Sequence, residues 1–212
     1  MTIPLTLTMV NNSGQPGSLV VYQQANPSPD AIAWLSKYAY PGTSVQFSWD
    51  PTSWCFVWSG SGKLSPGVVF DVAQVVPASF TDASVVPFSY DGANRTFFFG
   101  TPHGGAPAGS LMIQQDTSVP VNGAAVGIGM DGKAVYLVES QPNINVVFTP
   151  RASYWVAFAT KVQQGEYIDV TTMSVAEVVF PPNVYAMTAT IDAQGHWTIE
   201  QNILQKVPEA ES

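Results

Sequence analysis

Two short stretches carry side chains in a pattern that could recognise a sugar. The first is DAIAWLSKYAY, Asp30 to Tyr40, where Trp34, Tyr38 and Tyr40 offer aromatic faces. The second is Tyr90-Asp91-Gly92-Ala93-Asn94-Arg95, which gathers an aromatic ring, an acid, an amide and a guanidinium. A sugar ring stacks its apolar face on an aromatic side chain and pairs its hydroxyls with such polar groups. Trp34, Tyr38, Tyr40, Tyr90, Asp91 and Asn94 are therefore the candidate ligand-binding residues. Each stretch also has a plain structural reading. The first could cap an open sheet edge, and the second could be ordinary turn chemistry.

Catalytic patterns are thinner. Glu166 and Asp169 are close enough in sequence to be considered as a glycosidase pair. On a strand, three positions apart puts them on opposite faces. No nucleophile elbow of G-x-S-x-G form is present. His103 and His196 are the two histidines, and neither stands at metal-ligand spacing with Cys55 or a carboxylate. The run Gly127-Ile128-Gly129-Met130-Asp131-Gly132 matches a dinucleotide fingerprint, but that fingerprint needs a helix next. KAVYLVE follows and alternates as a strand, so the run reads as a hairpin turn. Ser61-Gly62-Lys63 lacks the upstream glycine of a phosphate-binding loop. The expectation is a chain without catalytic residues, cofactor or metal, with a hydrolase as the alternative.

Composition narrows the partners. The chain has 212 residues and 46% apolar content, enough for a full core. Only 10% of residues are charged, against about 25% in an average domain. The formal net charge is −8, with seven Lys and Arg, so nucleic acid and anionic membrane surfaces are poor partners. No stretch approaches the ~20 apolar residues of a membrane-spanning helix, so membrane insertion is not expected. Cys55 stands alone between Trp54 and Phe56, which excludes an internal disulfide and reads as a small buried hydrophobe. MTIPLTLTMVNNSG has no basic leader pattern, making the cytoplasm the default expectation, with leaderless secretion as the other route. Asn11-Asn12-Ser13 and Asn94-Arg95-Thr96 match the glycosylation sequon, which has meaning only in a secretory setting.

The elements that must position these residues are strands. Leu5, Leu7 and Met9 alternate with threonines. Val45, Phe47 and Trp49, then Ile144, Val146 and Phe148, then Tyr154, Val156 and Phe158, then Met187, Ala189 and Ile191 repeat the pattern. Asn12-Ser13-Gly14, Asp91-Gly92, Asp131-Gly132 and Ala193-Gln194-Gly195 supply turns, because Gly, Asn and Asp tolerate positive φ. Asp30 to Tyr40 is the one helical candidate, with Asp30 as N-cap and Ile32, Leu35 and Tyr38 on one face. The expected fold is all-β: a single-domain antiparallel β-sandwich over residues 1–206, with about ten to twelve strands and one short helix. A jelly roll is one arrangement that meets this count. Residues 207–212 read as a frayed polar tail.

The aromatic run from Ser44 to Gly62 fits the same scheme. Val45, Phe47 and Trp49 alternate, Asp50-Pro51-Thr52-Ser53 turns, and Trp54, Phe56 and Trp58 alternate again. The pattern predicts a hairpin whose aromatic face lies in the core, with an exposed aromatic platform as the alternative.

Three segments carry a resemblance. VNNSG at Val10–Gly14, VYQ at Val21–Gln23 and WCFVWSGSGKLSPGVVFDVAQ at Trp54–Gln74 are similar to the RhiA family of root-nodule bacteria and their relatives. The resemblance implies a bacterial protein under population-density control and linked to plant–microbe interaction. It brings no catalytic residues with it. Together the readings favour a non-enzymatic protein that binds a glycan. The first alternative is a self-assembling protein, with VAEVVFPPN as a contact strand and a homo-oligomer as its product.

Overall fold

The computed structural model describes residues 2–24, 30–151 and 153–202. The expected tail at 207–212 lies outside the described residues. Eighteen strands are found among those described: β1 (Leu5–Asn11), β2 (Gly17–Gln23), β3 (Asp30–Ile32), β4 (Leu35–Ala39), β5 (Thr43–Trp49) and β6 (Trp54–Ser59). There follow β7 (Gln74–Pro77), β8 (Val85–Asp91), β9 (Thr96–Phe99), β10 (Leu111–Gln115), β11 (Ala125–Met130) and β12 (Lys133–Glu139). The last are β13 (Ile144–Phe148), β14 (Tyr154–Ala159), β15 (Tyr167–Asp169), β16 (Ser174–Val178), β17 (Ala186–Ile191) and β18 (Trp197–Gln201). One turn of 3-10 helix, Val170–Thr172, is the only helical element described.

The fold is an all-β sandwich in which no sheet closes into a barrel. Four four-stranded sheets have the orders β18-β17-β1-β5, β13-β10-β8-β9, β12-β11-β6-β7 and β16-β14-β2-β4. A two-stranded sheet pairs β15 with β3. Most pairs are antiparallel; β1 with β17 and β8 with β10 are parallel. The strand count exceeds the expected ten to twelve because pieces as short as β3, β7 and β15 fall within stretches that carry no long alternation.

One core joins the four larger sheets. Leu7, Met9, Leu19, Val21, Phe47, Trp49, Phe56, Phe88, Leu111, Ile113, Ile128, Val156 and Met187 all lie in it. Smaller clusters back it from outside, and β3 serves two of them by strand alternation. Ala31 and Ala33 pack with Val20, Tyr22 and Ala157, while Ile32 packs with Cys55, Val57 and Phe70.

Two local expectations are corrected. Asp30 to Tyr40 is not a helix but β3 and β4. Ala31 through Leu35 are all buried, so the segment is covered on both sides and has no single apolar stripe. Leu35, Lys37 and Ala39 are held instead in register against Val21, Leu19 and Gly17. Ser44 to Gly62 is not a hairpin: β5 pairs with β1, and β6 pairs with β11 and β7. The chain crosses between sheets at Asp50–Ser53, yet the aromatic face does point inward. Trp49 and Phe56 are buried, and Trp54 and Trp58 are half-buried against the same core.

Three of the four expected turn sites join true hairpins, β8–β9, β11–β12 and β17–β18, while the fourth, Asn12-Ser13-Gly14, carries the chain from β1 to β2 in a different sheet. Asp131 and Gly132 have φ of 52° and 71°, the double positive φ of a tight hairpin turn. The G-x-G run has a steric reason here. A Cβ on Gly127 would lie 1.8 Å from the Tyr136 carbonyl, and one on Gly129 would lie 2.3 Å from that of Lys133. The register shifts between Ile128 and Gly129, a bulge that brings the two backbones close.

Candidate functional site

The expected site residues part company. Trp34 is fully buried, and its Nε1 donates to the Met130 carbonyl at 3.1 Å. Its ring packs edge-on to Trp49 and stacks with Tyr154. It is a core residue, which removes it as an exposed stacking platform. Two-sided burial of its neighbours holds it there.

Tyr90, Asp91 and Asn94 form a turn. Asp91 accepts from the backbone N–H of Ala93 and Asn94 at 2.9 and 3.1 Å, and from Asn94 Nδ2 at 2.6 Å. The Asn94 side chain first, then its backbone N–H, holds the Asp91 carboxyl below its usual range. Tyr90 leans on Phe97, with ring centroids 4.7 Å apart. The polar groups thus satisfy one another across the turn.

Tyr38 and Tyr40 remain open. They are 52% and 66% exposed and meet edge to face, with centroids 5.7 Å apart. Being two apart at the end of β4, they project to the same side. Tyr40-Pro41-Gly42-Thr43 then turns into β5, with Gly42 at φ 75° and Thr43 donating twice to the Tyr40 carbonyl.

A buried amide builds the base under this pair. Asn11, at the end of β1, is fully buried. Its Nδ2 donates to the Gln15 carbonyl at 2.8 Å and to the Ala39 carbonyl at 3.0 Å. Its Oδ1 accepts from the Ser13 N–H at 3.0 Å and from Ser13 Oγ at 2.6 Å. Its own carbonyl accepts from the Gly42 N–H at 2.7 Å. One residue therefore ties the Asn12–Gln15 loop and the Tyr40–Thr43 turn together, which also buries the first sequon's acceptor nitrogen. Asn12, Gly14, Gln15 and Pro16 are exposed beside the turn. Neither Asn11–Pro16 nor Tyr38–Thr43 contains a charged residue. The nearest cation in sequence, Lys37, is committed: its Nζ donates to the Gln46 carbonyl at 2.6 Å and lies over the Phe47 ring.

Sequence reasoning missed Asn11 as a site residue. VNNSG gave a turn signal, but the contact to Ala39 joins strands in two different sheets and leaves no local trace.

A polar sheet face continues from this end. Thr6, Thr8 and Val10 of β1 stand in register with Ser48, Gln46 and Ser44 of β5 and with Ala186, Thr188 and Thr190 of β17. Thr198 and Glu200 of β18 extend the rows. None of them is buried, and Glu200 is the one charge among them.

The remaining chemistry is structural. Glu166 accepts from the Gln163 N–H at 2.9 Å, and Asp169 caps the 3-10 turn through Thr171. The Thr171 hydroxyl first, then its N–H, keeps Asp169 below its usual pKa. Burial pushes the Cys55 thiol up. His103 Nδ1 lies 2.7 Å from the Gly104 carbonyl, while His196 sits 3.6 Å from Asp192. Among the described residues no group of three or more His, Cys, Asp and Glu gathers as a metal site.

The RhiA family model matches residues 3–202. Protein RhiA of Rhizobium leguminosarum bv. viciae is 35% identical over 202 residues, covering 92% of this chain and 85% of that protein. No solved structure matches this chain. With the resembling segments VNNSG and WCFVWSGSG now seen as the Asn11 clamp and a core strand, the chain belongs to the RhiA family.

Proposed function

We propose that this protein is a non-enzymatic, glycan-binding member of the family, and that the Tyr38–Tyr40 pair is its stacking platform. The observation that carries the reading is a solvent-facing pair of rings fixed beside an uncharged loop of amides and hydroxyls. Rings at this exposure give up apolar surface to water, and a sugar face covers it without needing a charge partner. The Asn11 clamp holds the loop in advance, so binding orders little new chain. A neutral or weakly charged glycan suits an acidic protein with so few charges. In this reading the protein serves a bacterium's contact with host or community surfaces.

The test is a glycan array followed by titration with the wild type and the Tyr38→Ala and Tyr40→Ala variants. Saturable binding to a neutral glycan, weakened about tenfold or more by loss of either ring, is expected; tenfold corresponds to about 1.4 kcal/mol. Binding that survives both substitutions, or none at millimolar glycan, overturns the proposal.

Self-association is the second reading. It draws on β16, an edge strand with Val175 part-exposed and Val179 just beyond it at 62% exposure. One end is already covered, since Ser174 Oγ donates to the Gly195 carbonyl and Trp197 Nε1 donates to that of Ser174. A monomeric sedimentation profile at high concentration would remove it.

A further inference from the structure

A cleft of about 180 Å³ opens where three parts of the chain meet: the stretch ahead of β7, the start of β12 and the loop ahead of β15. Trp34, Phe70 and Ala134 line it with apolar surface, and all three are buried, so they form its floor. Asp71, Lys133 and Gln164 line it with polar side chains. Asp71 and Gln164 are exposed and Lys133 is half-buried, so these three form its rim. Backbone bonds fix the walls. The Phe70 N–H donates to the Gly165 carbonyl and the Gly165 N–H to the Ala33 carbonyl, both at 2.8 Å. Gly165 has a φ of 81°, and a Cβ there would come 2.8 Å from the Phe70 carbonyl, so this wall needs glycine. On the other side, Trp34 Nε1 ties the floor to the β11–β12 hairpin through the Met130 carbonyl. The cleft is formed before any ligand arrives, which lowers the cost of binding.

The charges on this rim are not used within the chain. Among the described residues the one ion pair is His196 with Asp192, so Asp71 and Lys133 border the same cleft without joining each other. Lys133 Nζ makes one long contact, 3.4 Å to the Asp131 carbonyl. The Asp131 carboxylate is already engaged by the Ser53 hydroxyl at 2.7 Å and the Asp50 N–H at 3.2 Å. The side chains of Asp71 and Gln164 have no hydrogen-bond partner among the described residues. The chain has only seven Lys and Arg in all. An unspent cation facing an unspent anion across one apolar-floored cleft is therefore not the ordinary surface of this protein.

We infer that this cleft is a second binding site, and that its ligand is a small zwitterion, a free α-amino acid with an aliphatic side chain. Lys133 takes the carboxylate and Asp71 the ammonium group, each by a charge-assisted hydrogen bond. The Gln164 amide both donates and accepts, so it serves either end. The aliphatic side chain covers the apolar floor and leaves water. A carboxylate without the ammonium meets repulsion from Asp71, and an amine without the carboxylate meets repulsion from Lys133. Only a molecule that carries both charges satisfies both sides. The volume lies below the about 300–1,000 Å³ of pockets that take drug-sized molecules, which suits a single amino acid better than a peptide. The site is separate from the Tyr38–Tyr40 platform and does not depend on it.

The test uses the intact protein and follows its backbone and indole N–H resonances by NMR as L-leucine is added. The expected result is a saturable shift at the Trp34 indole and at Ala134 and Gly165, the groups that line the cleft. Isoamylamine, which is leucine without its carboxylate, and isocaproate, which is leucine without its ammonium group, should each bind about fivefold or more weaker. Asp71→Asn and Lys133→Gln change side chains at the rim and should leave the fold intact. Each should weaken leucine by a similar factor, while Tyr38→Ala should not change it. Equal shifts from isoamylamine or isocaproate, or leucine binding that survives both rim substitutions, overturns the inference. So does the lack of any saturable shift at tens of millimolar leucine. Glucose shifting the same resonances in place of leucine would make the cleft a sugar subsite and would overturn it as well.

Discussion

Asn11 is the residue on which the platform end depends, and Asn11→Ala gives a sharp test of that role. The substitution deletes four side-chain hydrogen bonds, two donated by Nδ2 and two accepted by Oδ1. At about 0.5–1.5 kcal/mol net for each, the loss is about 2–6 kcal/mol. The upper half of that range applies because the Ala39 carbonyl lies in a buried contact and water cannot readily replace its partner. Total stabilities of about 5–15 kcal/mol make this a large fraction. Urea denaturation followed by tryptophan fluorescence measures it as a shift in midpoint at constant slope. A cost below about 1 kcal/mol would show that the clamp is not a structural keystone.

Asn11→Asp separates the donors from the acceptor. It keeps Oδ1 for Ser13 but turns a second oxygen toward the Gln15 and Ala39 carbonyls. That oxygen can be tolerated only when protonated, so the folded pKa must rise above the unfolded value of about 3.9. A group with a raised folded pKa contributes its stability below the unfolded pKa and loses it as pH rises through the folded one. The deficit of Asn11→Asp relative to wild type should therefore be larger at pH 7 than at pH 4. Parallel stability curves across that range would refute the donor geometry.

Three further outcomes are expected. Gly127→Ala should lose about 3 kcal/mol or more, because the new methyl meets the Tyr136 carbonyl backbone rather than a movable side chain; chemical denaturation reads the loss directly. Asp50, Asp91 and Asp169 have carboxyls held low first by the side chains of Thr52, Asn94 and Thr171, and Asp192 first by the His196 N–H. Their contribution is present above the unfolded pKa of about 3.9 and is lost as pH falls through the lower folded values, so midpoints should hold from pH 7 to about 5 and drop below about 4. Cys55 is buried with a raised pKa, so a thiol-reactive dye at pH 8 should label the native protein far more slowly than the urea-unfolded chain; equal rates would contradict its burial on β6 against Ile32 and Phe70.

What the sequence made legible was local. Alternation marks which side of Leu5–Met9 or Tyr154–Phe158 is apolar, and Asp131-Gly132 marks a hairpin, because both signals sit within a few residues of the structure they specify. Pairing partners are not local. β1 is flanked by β5 and, in parallel, by β17, nearly the whole chain away, and nothing in LTLTMVN distinguishes those neighbours. The same limit explains the aromatic run: a turn at Asp50–Ser53 looks identical whether the next strand folds back on β5 or leaves for β11.

The candidate site shows where that limit bears on function. Tyr38 and Tyr40 were legible as aromatics at the end of a polar run, and Trp34 was not separable from them. All three are aromatic, and only the neighbours decide. Trp34 sits among Ala31, Ile32, Ala33 and Leu35, a run with no polar residue to face water, so both sides of it must be covered. Tyr38 and Tyr40 follow Ser36 and Lys37, and the turn after them needs Pro41 and Gly42, residues that bring no bulk to cover a ring. Burial therefore changes along six residues for a local reason. The step from exposed rings to a built platform is different, because it needs Asn11 to bind Ala39 across 28 positions. A short polar residue at full burial, bonded through its side chain to the Ser13–Gln15 loop and Ala39 and through its main-chain carbonyl to Gly42, is the feature that turns two surface tyrosines into a fixed surface. That is why Asn11 is the first residue to mutate if the Tyr38–Tyr40 pair binds sugar. Losing the clamp should weaken binding while leaving both rings in place, an effect that separates preorganisation from contact.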